Sequence, residues 1–192
     1  KTTLPDGTIV NLFEGPDPRF SMQAPIPTSQ TTSTGGLTYT FAMNRAANLS
    51  NPIDPLTLVS QTDTMTLNGR VYTSSYLSST RTFTDKTPAN RQSTTTLDAQ
   101  GRPIGTQVAG LEPSAVTYDS RGRIATIVAG TGGGARTYTL AYNAEGFLAS
   151  ITDPLGRVES FAYDPAGRVT TQTLPGGRVV QYAYDANGNL TS

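Results

Sequence analysis

The chain contains no cysteine and no histidine. The first absence excludes disulfides, cysteine-zinc sites and thiol nucleophiles. The second removes the commonest general base and metal ligand, and with it any Ser-His-Asp triad within the chain. Charge is scarce as well: charged residues make up 15%, and 14 Lys and Arg balance 14 Asp and Glu to a formal zero. A protein that tracks phosphates needs a basic excess, so nucleic acid is not an expected partner. No apolar run approaches the roughly 20 residues that span a bilayer, and no secretory signal opens the chain. Residues Lys1–Thr8 read as the middle of a strand and turn, and Asn187–Ser192 stop inside a repeating pattern. The 192 residues are therefore expected to be a segment of a longer chain.

What is present is turn and strand material. There are 19 Gly and 13 Pro, and Thr and Ser dominate the remainder. That balance favours strands and tight turns over helices. An aromatic-acid-x-x-Gly unit recurs in the C-terminal half. Its copies are Tyr118-Asp119-Ser120-Arg121-Gly122-Arg123, Tyr142-Asn143-Ala144-Glu145-Gly146-Phe147, Tyr163-Asp164-Pro165-Ala166-Gly167-Arg168 and Tyr184-Asp185-Ala186-Asn187-Gly188-Asn189. Leu97-Asp98-Ala99-Gln100-Gly101-Arg102 is a weaker one. Positions 98, 119, 143, 164 and 185 lie 21 residues apart except for one gap of 24. The Gly-rich run Gly130–Gly134 explains that gap as a lengthened turn.

A second turn falls midway in each period, at Asp153-Pro154-Leu155-Gly156-Arg157 and at Leu174-Pro175-Gly176-Gly177-Arg178. Between turns the residues alternate with period two. The reading is an all-β chain, an antiparallel meander with two strands per repeat. In each turn the Asp or Asn accepts backbone N–H groups as an Asx turn, and the Gly supplies a positive φ. The Arg that follows is placed to reach a carboxylate or a carbonyl. Val180, Tyr182 and Tyr184 share one face, as do Tyr138, Leu140 and Tyr142, and Phe161 with Tyr163; small or polar residues stand opposite. Stacked repeats would align the tyrosines into a ladder.

Toward the N-terminus the repeats degenerate. Residues 37–44 parallel residues 136–143, and Asn44-Arg45-Ala46-Ala47-Asn48-Leu49 echoes the turn at Asp185–Leu190, with Ala47 where Gly is expected. Asn68-Gly69 is a hairpin signal. Residues 15–30 read as an irregular Pro-rich loop in which Glu14, Asp17 and Arg19 are solvated charges, and Asn51–Pro55 read as another loop. The expected organisation is a strand plus Pro-rich loop over 1–36, degenerate hairpins over 37–96 and regular repeats over 97–192, all one continuous repeat domain.

The Tyr-Asp-x-x-Gly-Arg units at this spacing resemble the YD repeats of the Rhs family, clearly over 97–192 and more weakly over 37–96. Relatives in that family include bacterial Rhs polymorphic toxins, the B and C components of insecticidal toxin complexes, and teneurins. The resemblance implies a curved or spiralling sheet that can close as a hollow shell, which in bacterial members encloses a C-terminal toxin domain. It further implies a secreted or cell-surface bacterial protein. Its implied partners are adjacent repeats of the parent chain, an enclosed toxin or cargo, and further copies at free sheet edges. The family's self-cleaving signature ends Gly-Leu; the turn at Asp153 has Arg157 there and reads as an ordinary mid-repeat turn.

The function expected is structural, with no catalysis and no cofactor. An adhesin, stalk or self-assembling fibre is the alternative. The repeated Asp98, Asp119, Asp164 and Asp185 lack calcium-loop spacing and read as turn caps. The tyrosines read as strand packing rather than a ligand platform, and Thr and Ser as the polar face of strands.

Overall fold

The computed structural model describes residues 1–192. The chain is all-β and folds into two compact units, Lys1–Leu111 and Glu112–Ser192. The first holds nine strands: β1 (Thr2–Thr3), β2 (Ile9–Asp17), β3 (Ser21–Thr34), β4 (Leu37–Leu49), β5 (Leu58–Leu67), β6 (Arg70–Leu77), β7 (Thr82–Lys86), β8 (Gln92–Leu97) and β9 (Pro103–Val108). The second holds β10 (Ser114–Tyr118), β11 (Ile124–Ala129), β12 (Arg136–Tyr142), β13 (Leu148–Thr152), β14 (Val158–Tyr163), β15 (Val169–Thr173) and β16 (Val179–Gln181). Within each unit every strand pairs antiparallel with its neighbour in the chain, as a meander requires. A single 3₁₀ turn, Gly132–Gly134, occupies the lengthened connection between β11 and β12.

Two N-terminal readings are corrected by the first unit. Residues 15–30 are not an irregular loop: β2 and β3 form a long hairpin through Pro16, Pro25 and Pro27. The prolines survive because β3 pairs with β4 only from Ser29 onward. Pro25 and Pro27, two apart, place both missing donors on one edge, where no ladder needs them. Likewise Asn44–Leu49 is not a turn. It is the second half of β4, in register with β5 from Asn44↔Thr64 to Leu49↔Leu58. Ala47 lacks the glycine's freedom to adopt positive φ, so the strand runs on. By contrast, Asn68-Gly69 is the tight hairpin turn expected, with φ of 48° and 77°, the primed geometry that matches strand twist. Asn51–Pro55 lies in the connection between β4 and β5.

No apolar side chain is buried in either unit; the only buried residues with polar side chains are Thr8 and Asp17. A lone sheet has two faces, and nothing within either unit covers one with a second layer. On one face Thr62, Ser75, Thr84 and Thr94 stand in register across four strands, which is where the Thr and Ser content goes. On β16 and the segment after it, Val180, Tyr182 and Tyr184 are half-buried while Gln181 and Ala183 are exposed, as the alternation predicts.

Candidate functional site

The recurring chemistry is concentrated at the repeat turns. At Asp164 the backbone N–H of Asp164 donates to the carbonyl of Arg168, and Gly167 N–H donates to the carbonyl of Asp164, each at 2.9 Å. The same pair of bonds closes the turns at Asp98, Asp119, Asn143, Asp153, Leu174 and Asp185. It is the three-residue hairpin connection with a glycine bulge. Gly122, Gly146, Gly167 and Gly188 accordingly have φ of 80°, 100°, 79° and 84°.

The acid does two jobs in each turn. Asp164 Oδ1 accepts the N–H groups of Ala166 and Arg168 at 2.9 Å. Its Oδ2 accepts Arg168 Nε at 2.7 Å. Asp119 with Arg121 and Arg123 repeats the set, as does mid-repeat Asp153 with Leu155 and Arg157. In the last turn Asn189 Nδ2 replaces the guanidinium on Asp185 Oδ2 at 2.9 Å. Where Asn143 replaces the acid, its Oδ1 accepts only Phe147 N–H, at 2.8 Å.

These bonds hold the carboxyls below the ordinary aspartate range. For Asp119 and Asp164 the leading cause is the backbone N–H of Arg123 and Arg168 respectively. For Asp185 it is the Asn189 side chain. Desolvation pushes Asp98 and Asp153 up, but the bonds from Arg102 and Arg157 outweigh it and the net direction is down. The Asp residues are thus turn caps: Asp98, Asp119, Asp153 and Asp164 are each tied to their own Arg, and Asp185 to Asn189.

The residue after the glycine also joins one repeat to the next. Arg123 lies 4.1 Å from the Tyr142 ring centroid, and Arg168 lies 4.6 Å from that of Tyr184. Phe147, in the same position, stacks on Tyr163 at 5.0 Å and 25°. The same side chains lie over the next repeat's glycine: a Cβ added to Gly146, Gly167 or Gly188 would meet Arg123 at 3.5 Å, Phe147 at 2.7 Å or Arg168 at 3.6 Å.

Each tyrosine then reaches back across the joint. Its hydroxyl donates to the carbonyl just after the preceding turn: Tyr142 to Ile124 at 2.9 Å, Tyr163 to Leu148 at 2.8 Å, and Tyr184 to Val169 at 2.8 Å. The register positions it. Tyr118↔Ile124, Tyr142↔Leu148 and Tyr163↔Val169 each close a hairpin just beyond a register shift, and Tyr184↔Leu190 is the corresponding bridge.

The tyrosines therefore do not form a ladder of stacked rings. Repeats stand roughly 10 Å apart, two strand spacings, and an Arg or Phe fills each interval. Sequence reasoning found the motif positions but not this interlock. The signal available was the large side chain after the turn glycine, Arg123, Phe147 and Arg168, placed 19, 16 and 16 residues before the tyrosine it meets.

A second cluster was missed entirely. Asp17, read as a solvated loop charge, is 4% exposed. Its Oδ1 accepts the N–H of Arg19 at 2.7 Å and of Phe20 at 3.2 Å, and its Oδ2 accepts Arg45 Nη1 at 3.0 Å. Arg45 also grips Asp63 through Nε and Nη2, both at 2.7 Å. Burial pushes the Asp17 carboxyl up, but Arg19 N–H, Arg45 and Phe20 N–H outweigh it and the net direction is down. Asp63, then Asp17, raises Arg45 above its ordinary value. Three strands, β2, β4 and β5, are pinned by one guanidinium. No group of three acid side chains is placed to hold a metal ion.

Residues 142–179 and 163–192 match the family described as RHS Repeat. Residues 142–192 carry RHS repeats. The matched stretches contain the interlocking turns at Asn143, Asp164 and Asp185. No curated protein matches the chain.

Among solved structures, a crystal structure of TcdB2-TccC3-Cdc42 superposes with a TM-score of 0.64 at 15% identity, over 96% of this chain and 10% of that one. The Tc holotoxin pore of Photorhabdus luminescens gives 0.62 at 16%, over 98% and 10%. The chain thus spans about a tenth of the solved chains it matches, and at these identities what is shared is the fold. It is a structural repeat segment. None of its helices is long and apolar enough to cross a membrane.

Proposed function

We propose that these RHS repeats build part of the wall of a shell that encloses a toxin or cargo domain, within a large secreted or surface-exposed bacterial protein. The observation that carries this reading is the joint. Each repeat presents an Arg or Phe to the next and a tyrosine hydroxyl to the last, so repeats extend a wall by nearest-neighbour contact. The fold shared with the TcdB2-TccC3 and TcdB2-TccC3-Cdc42 structures supports this reading. The repeat-turn carboxylates of Asp98, Asp119, Asp153 and Asp164 are each committed to their own turn backbone and Arg, which fits a building role.

The test is limited proteolysis of the whole parent protein. An enclosing wall protects whatever lies inside, so a cleavage site engineered into the enclosed domain should resist protease until the wall is unfolded. Immediate cleavage in the native protein would refute enclosure. Electron microscopy of the same protein distinguishes the alternatives, because a stalk or fibre gives rods and a shell gives hollow particles.

A further inference from the structure

Between two hairpin tips of the first unit lies a notch that no joint uses. β5 and β6 pair as far as Leu67↔Arg70, but β6 and β7 pair only from Thr73↔Lys86. Arg70, Val71 and Tyr72 therefore have β5 on one edge and no strand on the other. Beside them β7 turns back into β8: Thr87 N–H donates to the carbonyl of Arg91 at 3.0 Å, and Asn90, at φ 56°, closes the turn. The result is a short strand edge flanked by Thr87, Pro88, Ala89 and Arg91.

The side chains give the notch a chemistry. Met65 and Tyr72 are register partners on one face, and with Val108 they make its apolar floor. Arg70, Lys86 and Arg91 surround it, all exposed. None of them is ion-paired, whereas Arg45, Arg102, Arg123, Arg157 and Arg168 are. Arg70 lies two residues from Tyr72, on the same face, while Lys86 is the partner of Thr73 on the other face. Asp85, opposite Ser74 and Ser93, lies deeper on the Tyr72 face.

We infer that this notch docks an extended acidic segment of another polypeptide. The segment's backbone pairs with the bare edge at Arg70–Tyr72, as in strand addition. Its carboxylates meet Arg70 and Arg91 on one face and Lys86 on the other, since alternate residues of a strand point to opposite faces. An uncharged apolar side chain between them rests on Met65, Tyr72 and Val108. Asp85 keeps a carboxylate from going deep and leaves acids at the rim. The same carboxylate, with a strand edge that needs amide partners, disfavours a phosphodiester chain.

The test uses the whole chain and a fluorescein-labelled Glu-Glu-Leu-Glu-Glu peptide, whose first, third and fifth side chains share the Tyr72 face and whose second and fourth face Lys86, followed by anisotropy. Saturable binding that weakens as salt rises is expected. So is a loss of roughly tenfold or more on R70E/R91E, as for charge pairs at an interface. Amide exchange at Val71 should slow when the peptide is bound, which a purely electrostatic attachment would not produce. Should the charge reversals unfold the protein, the R70Q/R91Q pair replaces them and should show the same loss. Equal binding of a Gln-Gln-Leu-Gln-Gln peptide, unchanged affinity in the variants, or equal competition by an oligothymidine strand would overturn the proposal.

Discussion

Gly167 carries two constraints at once. Its φ of +79° suits glycine, and a Cβ there would lie 2.7 Å from Phe147 Cζ. Gly156, at φ +76°, has open space around it. Gly167→Val should therefore destabilise the second unit by about 2–4 kcal/mol, strain plus displaced packing. Gly156→Ala should cost only the backbone strain, about 1 kcal/mol. Urea unfolding followed by tyrosine fluorescence measures both, and equal losses would show that the Phe147 contact carries nothing. In the first unit Arg45→Ala would strand Asp17 as an unpaired buried charge. A loss of about 3–5 kcal/mol is expected, read from the urea midpoint; a loss under about 1 kcal/mol would mean that water replaces the guanidinium.

The turn and the strand pair on either side of it form the unit of construction. Arg and Phe fill the same place in the joint for different reasons: Arg is held by its own Asp, and Phe147 follows Asn143, which cannot form that ion pair. The two identities should travel together. N143D/F147R is expected to match or slightly exceed the parent in thermal midpoint, because it restores the Asp–Arg bond and an Arg–Tyr163 contact. Phe147→Ala alone should lose about 1 kcal/mol of stacking. If the double variant proves as weak as the alanine, Arg and Phe are not equivalent there.

These hairpins were legible from Asp-x-x-Gly spacing because the signal is local: a capping acid and a glycine three residues on. Strand β3 was not. Pro25 and Pro27 signal a loop wherever both strand edges are paired, and only the absence of a β4 partner before Ser29 lets them stay extended.

Neither unit holds a buried apolar side chain, so ladders, caps and joints carry its stability. That makes the whole chain sensitive to acid. Asp17 and Asp98 in the first unit, and Asp119, Asp153, Asp164 and Asp185 in the second, all have carboxyls held below their ordinary range. A folded pKa below the unfolded one means that the unfolded chain binds more protons as pH falls. The stabilisation is fully present above the ordinary aspartate value of about 3.9, and is lost as pH drops through it to the folded values. Thermal midpoints should thus be flat from neutral pH to about 5 and fall steeply below about 4. D119N/D164N should blunt the fall of the second unit. An unchanged slope in that variant would remove these caps as its cause.

Residues along the chain decide what neighbours in the chain can decide. Alternation sets strands, Asp and Gly set turns, and regular spacing makes consecutive strands pair, so the meander and its period follow from short-range chemistry. Contacts between residues far apart in sequence belong to the tertiary structure alone. Arg123 meets Tyr142, Phe147 covers Gly167, and Arg45 draws Asp17 and Asp63 together only after the strands have assembled. Register fixes which side chains stand within reach, and a shift of one residue would turn each of them to the other face.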